Sequence, residues 1–393
     1  MRYRDNLQQV KDNYPDKRSI SIDGTDREYV RDMTDGNWEE IGRDINNNTY
    51  LRKLCFIASL NNQKMTALFR LLTRGNSIKE ISLRRNEFGL DGVRSMVPFL
   101  QNAGNLKLVD VSRNIIGSDG FNILFRALCD SPIEDLDCDK CGIDSIEIDG
   151  DRIPLNLREL DLTSNRINAH GCRELAKLLQ GGDSTLKKLH LDNNNIDDEC
   201  VEILVIALKS NTSLKELYLE SNRGITTEGR KLLLKLVNDV SSIKATLQSN
   251  HTLRYLSPSD RLFRKHINAA IIMNRLHKNN PEAAGRAKVI CTQLNSVRRN
   301  ALCKLQGVNR SLYSEINHGI NPLHLPEILS LVGQNHGQEQ LYAALKSSVA
   351  GLISTVNRKQ CIQERRKMGA ELEAIEAAEN NEVEISSNKR HRR

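Results

Sequence analysis

Hydrophobic positions along residues 51–225 recur in two alternating periods. The first is a phrase of the form apolar-x-x-apolar-x-apolar-x-x-Asn-x-apolar. It reads Ile78, Ile81, Leu83, Asn86, Phe88 and returns as Leu106, Val109, Val111, Asn114, Ile116. A cysteine variant follows as Ile133, Leu136, Cys138, Cys141, Ile143. Then come Leu157, Leu160, Leu162, Asn165, Ile167 and Leu186, Leu189, Leu191, Asn194, Ile196. A further copy is Leu214, Leu217, Leu219, Asn222, with Ile225 displaced by one residue. An imperfect first copy is Leu51, Leu54, Phe56, where Ser59 replaces the Asn. The alternation inside each phrase predicts a short strand. Between phrases the spacing changes to i, i+3, i+4, i+7, as in Met65, Leu68, Phe69, Leu72 and Val201, Leu204, Val205, Leu208. That stripe predicts a helix. Each unit is therefore a strand, a turn, a helix and a loop.

Such a unit cannot bury both faces of its apolar layer alone, but a stack can. Strands stack at about 4.8 Å, whereas packed helices need about 8–10 Å. The array must then curve, with strands on the concave face and helices on the convex one. The Asn of each phrase (Asn86, Asn114, Asn165, Asn194 and Asn222, with Cys141 in the same place) is expected to turn inward and bond turn backbone. The fourth unit departs from the pattern. Residues 144–156, DSIEIDGDRIPLN, carry no helical stripe, and Asp149-Gly150 with Pro154 predicts an extended convex segment instead.

These phrases resemble the leucine-rich repeat family, in the subtype of about 28 residues typified by ribonuclease inhibitor. The resemblance covers roughly residues 38–256. It implies an α/β solenoid: a curved horseshoe of parallel concave strands and convex helices, with an α-helical cap. The segment Trp38-Glu39-Glu40-Ile41-Gly42-Arg43 and the C-terminal third also resemble uncharacterised leucine-rich repeat proteins of unicellular algae. The expected organisation is a polar N-terminal extension at 1–36, with Ser19–Ile22 as a capping strand, and a solenoid of seven to eight units at 37–256. A helical capping region at 257–356 and a charged helix and tail at 357–393 complete it. Trp38 is expected in the core.

Composition fits aliphatic layers: 51 Leu and 38 Asn in 393 residues, but only 4% aromatics. The chain has no apolar run of about 18 residues, so no membrane span is expected. Nothing at Met1-Arg2-Tyr3-Arg4 reads as a secretion signal, and the nine Cys are read as reduced thiols. A cytoplasmic protein is expected, with Lys389-Arg390-His391-Arg392-Arg393 as a candidate nuclear address.

Charge shifts the reading toward binding. In the phrase, the third, fifth and seventh places face out of the strands. Across six units these 18 places hold 10 acidic and 2 basic residues. Asp110, Asp137 and Asp161 should stack as a column, with Asp135, Asp139, Glu159, Asp192 and Glu220 around them. His190 and Tyr218 continue the face. At the eighth place Arg85, Arg113 and Lys140 would form a basic rim. Like charges on neighbouring strands destabilise a sheet, which favours a docking face for a basic protein surface or peptide over idle solvated charge.

Chemistry is sparse. Cys138-x-x-Cys141 could open a zinc site, but both fall on structural positions of the phrase. The chain contains no Gly-x-x-x-x-Gly-Lys-Ser/Thr, His-Glu-x-x-His or Gly-x-Ser-x-Gly. His190 beside Asp161 and Asp192 lacks a pocket. The reading is a non-enzymatic, monomeric scaffold for a protein partner. It takes no cofactor, metal, small-molecule substrate or membrane. Two alternatives stand beside it. One is a Ran-type GTPase activator or other GTPase regulator, although this tail ends basic. The other is nucleic-acid association through residues 257–393, which carry 21 Lys/Arg against 12 Asp/Glu.

Overall fold

A computed structural model describes residues 2–289, apart from 26–29, 31, 75–76, 150–151, 181–183 and 258–260. Nine strands form one open sheet in chain order, and every neighbouring pair is parallel. They are β1 (Ser19–Asp23), β2 (Lys53–Ile57), β3 (Glu80–Ser82), β4 (Leu108–Asp110) and β5 (Asp135–Asp137). The rest are β6 (Glu159–Asp161), β7 (Lys188–His190), β8 (Glu216–Tyr218) and β9 (Tyr255–Ser257). Ile81, Val109, Leu136, Leu160, Leu189, Leu217 and Leu256 pair in one continuous row, and all are buried. A register slip of one residue would turn this entire layer to solvent, so the burial of the row locks the pairing.

The helices are α1 (Arg2–Lys11), α2 (Asp35–Asn47), α3 (Asn62–Leu71), α4 (Leu90–Asn102), α5 (Gly117–Ala127) and α6 (Ala169–Leu179). They continue as α7 (Asp198–Ser210), α8 (Thr227–Val237), the short α9 (Ile243–Leu247), α10 (Arg261–Leu276) and α11 (Pro281–Lys288). From α2 to α8 each packs on the next, except between α5 and α6. Side-chain caps start several of them. Asn61 accepts from Lys64 N, Asn168 from Gly171 N and Asp197 from Cys200 N, each satisfying a donor that a first turn leaves open. Gly42 brings α2 against α3 so closely that a Cβ there would lie 2.1 Å from the Leu68 carbonyl oxygen. Trp38 is fully buried, edge-on to Phe56 with ring centroids 5.9 Å apart.

The sheet begins earlier than the clear phrases do. Ile20 and Ile22 of β1 are buried, and β1 pairs with β2 over five residues. At the other end β9 adds a strand at the degenerate phrase Leu253, Tyr255, Leu256. Beyond it, α10 packs on α8 and β9, and α11 on α9 and α10. Phe263, Ile267, Ala270 and Ile271 of α10 are buried there. The Lys288 amine is also fully buried. It donates to the Val237 carbonyl at 2.6 Å and the Asn250 carbonyl at 3.1 Å, and it lies 3.0 Å from His251 Nδ1. Burial pushes this amine well below the usual lysine range. The remainder of the expected capping region, and the charged segment 357–393, lie outside the described residues.

Among the described residues there is no helix between β5 and β6. The segment runs extended, and Ile146 and Ile148 are buried in place of a helical stripe. Neighbouring helices supply its hydrogen bonds. Glu147 N donates to Asn122 Oδ1 (3.0 Å) from α5, and Ile148 N donates to Glu174 Oε2 (2.8 Å) from α6. Lys177 Nζ donates to the Ile148 carbonyl at 3.1 Å. A backbone without its own ladder is thus satisfied by side chains on either side.

Candidate functional site

Every phrase turns at the same backbone conformation. Ala58, Arg85, Arg113, Lys140, Ser164, Asn193 and Ser221, all at the eighth place, have φ between 50° and 60°. Left-handed backbone is unfavourable for most of these residues, and at five of the seven a buried Asn follows and holds it. Asn165 Nδ2 donates to the carbonyls of Cys138 (2.9 Å), Leu162 (3.0 Å) and Thr163 (3.2 Å). Its Oδ1 accepts from Cys141 N and Ile143 N, both at 3.0 Å. Asn86, Asn194 and Asn222 bridge adjacent units in the same way. Asn114 donates to Leu83 and Val111 carbonyls. Cys141 imitates only the donor half, its thiol reaching the Val111 carbonyl at 3.3 Å.

This framework sets two half-buried rows on the open face of the sheet, with Ser257 buried at one end. Ser82, Asp110, Asp137, Asp161, His190, Tyr218 and Ser257 pair in one row, and Glu80, Leu108, Asp135, Glu159, Lys188, Glu216 and Tyr255 in the next. The Asp row also has a local task. Asp110 Oδ1 accepts from Ser112 N (3.0 Å), Asp137 Oδ1 from Asp139 N (2.9 Å) and Asp161 Oδ1 from Thr163 N (2.8 Å). Each carboxylate therefore orders the turn two residues on, and the second oxygen of Asp110 accepts from the Ser82 hydroxyl at 2.7 Å. Asp192 Oδ1 accepts from Glu220 N at 2.5 Å. Glu159 meets Lys188 Nζ at 3.0 Å and His190 Nε2 at 3.1 Å. His190 stacks on Tyr218 with centroids 4.1 Å apart, and Tyr218 meets Tyr255 at 4.5 Å. The Tyr218 hydroxyl donates to Glu216 Oε2 at 2.7 Å.

Arg85, Arg113 and Lys140 are exposed at the turns. Arg113 Nε lies 3.4 Å from Asp139 Oδ2, so one rim cation already neutralises one acid. Glu220 is reached by Arg264 of α10 at 3.5 Å, a contact the phrase pattern could not foretell. Tyr255 was also hidden, because its phrase is degenerate. A larger omission is the second place of the phrase. It reads Arg52, Lys79, Lys107, Glu134, Arg158, Lys187, Lys215 and Arg254, basic in seven of eight phrases.

The Leucine Rich repeat family matches residues 155–176, 182–202 and 210–234. The chain is 27% identical over 158 residues to ribonuclease inhibitor of Sus scrofa, covering 39% of this chain and 35% of that one. It is a leucine-rich repeat protein of the ribonuclease-inhibitor-like type. The leucine-rich repeats also align with a protein phosphatase 1 regulatory inhibitor subunit homolog of Arabidopsis thaliana, 32% identical over 142 residues, 35% of this chain and 38% of that one. The chain spans about a third of the length of these curated relatives. Among solved structures, the leiomodin-1 actin-binding site 2 matches at a TM-score of 0.30 and 16% identity, over 34% of this chain and 78% of that one.

Among the described residues of this leucine-rich repeat array, no cluster of three His, Cys, Asp or Glu is arranged to hold a metal. Cys138 and Cys141 are buried free thiols. No helix among the described residues is long and apolar enough to cross a membrane.

The acidic rows carry an electrostatic cost. Burial first, and then repulsion from Asp110, Asp161 and Asp139, raises the Asp137 carboxyl to about 7. Burial and Glu159 raise Asp135 to about 6, and burial and Glu220 raise Asp192 to about 6. The folded state thus binds these protons more tightly than the unfolded chain, whose carboxyls titrate near 3.9. Their contribution is most favourable below pH ~4 and is lost as pH rises toward 7. Asp137→Asn keeps an oxygen acceptor for Asp139 N and removes the charge. Its stability relative to wild type should therefore rise between about pH 4 and 7. Denaturant midpoints measured across that range check this; parallel profiles for the two proteins would refute it.

Proposed function

We propose that this chain is a non-enzymatic scaffold whose concave face docks a basic segment of a protein partner. The observation that carries the reading is the row Asp110, Asp137, Asp161 on three adjacent strands. Among the described residues, no cation lies within ion-pair distance of any of the three. Asp135, Glu159 and Asp139 flank the row. A lysine or arginine side chain laid along it would relieve the repulsion within the row, so binding energy comes partly from the fold's own unfavourable charge. Two of the relatives are named as inhibitors, a phosphatase regulatory inhibitor subunit homolog and ribonuclease inhibitor, which accords with action through binding.

The test is the triple variant Asp110→Asn, Asp137→Asn, Asp161→Asn. The amides keep acceptors for the three turn N–H groups and remove the repulsion, so the thermal midpoint should not fall. Affinity for a fluorescent lysine- and arginine-rich peptide, read by anisotropy, should fall about tenfold or more, with a weaker salt dependence. Wild-type affinity should also strengthen from about pH 5.5 to 8 as Asp135, Asp137 and Asp192 ionise. Equal affinity of variant and wild type would sink the reading.

A further inference from the structure

The second-place residues stack as regularly as the acidic rows do. Backbone bonds link them strand to strand: Lys187 N to the Arg158 carbonyl, Lys215 N to that of Lys187, and Arg254 N to that of Lys215. The column has an interrupted half and an uninterrupted half. Glu134 breaks it near the middle and is held by both neighbours, Lys107 and Arg158. From there on, Arg158, Lys187, Lys215 and Arg254 follow one another immediately before β6 to β9 without an acid among them. Helix α10 and the residues after it then add Arg275 and Lys278. These two line a hollow of about 360 Å³ with Arg254, Tyr255 and Glu216.

Arg158 shares Glu134 with Lys107, and the cations after it stand apart from acids. Among the described residues, no carboxylate lies within ion-pair distance of Lys187, Lys215, Arg254, Arg275 or Lys278. Their contacts are to backbone: Lys215 Nζ to the Thr212 carbonyl (2.7 Å), Arg254 to the Lys278 carbonyl (3.3 Å) and Arg275 Nε to the Arg254 carbonyl (2.6 Å). They also crowd one another. Burial first, and then Arg254 and Lys187, depress the Lys215 amine. Like charges held side by side at strand spacing destabilise the sheet, and an anionic partner would remove that cost.

We propose that the column Arg158, Lys187, Lys215, Arg254, with Arg275 and Lys278 at its end, docks the acidic row of a partner's α-helix laid across the strands. Spacing selects the helix. Strands repeat at about 4.8 Å, and one face of a helix repeats at about 5.4 Å. Over three intervals the two differ by about 2 Å, within the reach of lysine and arginine side chains. Same-side residues of an extended peptide lie about 6.7 Å apart and fall out of step by about 6 Å over the same distance. A single-stranded nucleic acid would need free aromatic faces for its bases. Tyr218 has one face against His190 and the other toward Tyr255, and Glu159 and Glu216 stand beside the column. This surface adjoins the third-place row but is opposite in sign and shares no residue with the row Asp110, Asp137, Asp161, so it can fail or stand independently of that row.

The probe is a labelled helical peptide of about 15 residues with four glutamates at i, i+4, i+7, i+11 on one face. An isomer with its glutamates spread around the helix is the control. Lys187→Gln, Lys215→Gln, Lys278→Gln in the full chain should weaken the aligned peptide about tenfold and leave the lysine-rich peptide no weaker. Arg254 is left in place because it ties β9 to the Lys278 backbone. The isomer should bind several-fold less well than the aligned peptide. Equal binding of the two peptides, or an unchanged affinity in the variant, would overturn the proposal. Tighter binding of an oligothymidylate through the same lysines would overturn it in favour of nucleic acid. Tighter peptide binding by a Glu373→Gln, Glu376→Gln, Glu379→Gln variant would overturn it by showing the column already covered by this chain's own glutamates.

Discussion

Replacing Asn165 by alanine is expected to lower unfolding free energy by about 3–5 kcal/mol, more than any surface change. One side chain satisfies two N–H groups and one carbonyl of the unit before it and two carbonyls of its own turn. Asn165 is 6% exposed, so little water can replace the amide. Each buried group left without a partner costs about 1–3 kcal/mol, and partial relaxation keeps the total below the simple sum. The loss also releases the left-handed turn at Ser164. Guanidinium titration followed by circular dichroism would measure it, and a loss below about 1 kcal/mol would show that the turn holds itself without the amide. Cys141 is the natural comparison, because its thiol replaces the donor and leaves the acceptor half of the motif empty.

Trp38→Ala should cost about 3–5 kcal/mol by opening a cavity between α2 and β2. Trp38→Phe should cost far less, under about 1.5 kcal/mol. The indole N–H has no acceptor among the described residues, so the shorter ring removes a donor that bonds nothing and keeps most of the contact with Phe56. In a stack, stability is shared mainly between neighbours. Hydrogen exchange in Trp38→Ala should therefore accelerate in β1 to β3 and leave β7 to β9 near wild-type rates. Uniform acceleration would mean that the array unfolds as one unit.

How much of this was legible beforehand depended on whether a residue's task repeats. The buried row from Ile81 to Leu256 recurs with every unit and the inward Asn with most, so periodicity alone predicts strand, register and turn. The helix-free segment at 144–149 was legible by subtraction, since Asp-Ser-Ile-Glu-Ile-Asp offers no helical stripe. The left-handed eighth place was not, because Arg85, Lys140 and Ala58 carry none of the glycine or asparagine preference that marks such turns. Asp110, Asp137 and Asp161 read as surface charge, yet each also bonds the N–H two residues on, which only coordinates reveal. The column at the second place repeated as plainly as the acidic one. It lay outside the strand alternation that defines which positions face out, and so drew no notice. Arg264 and Lys288 reach the array from beyond the last phrase, where no repeat carries their partners.

The segment between β5 and β6 divides the outer layer into two slabs of helices, α2 to α5 and α6 to α8, while the inner sheet crosses the gap unbroken. The two slabs communicate there through Asn122, Glu174 and Lys177 gripping one ribbon from opposite sides. A pull along the array's long axis would be borne at this point by the sheet and a few side-chain bonds, where elsewhere helix packing shares the load. The acidic row Asp110, Asp137, Asp161 spans β4 to β6, directly opposite this seam, so a partner gripping it would splint the molecule at its thinnest section.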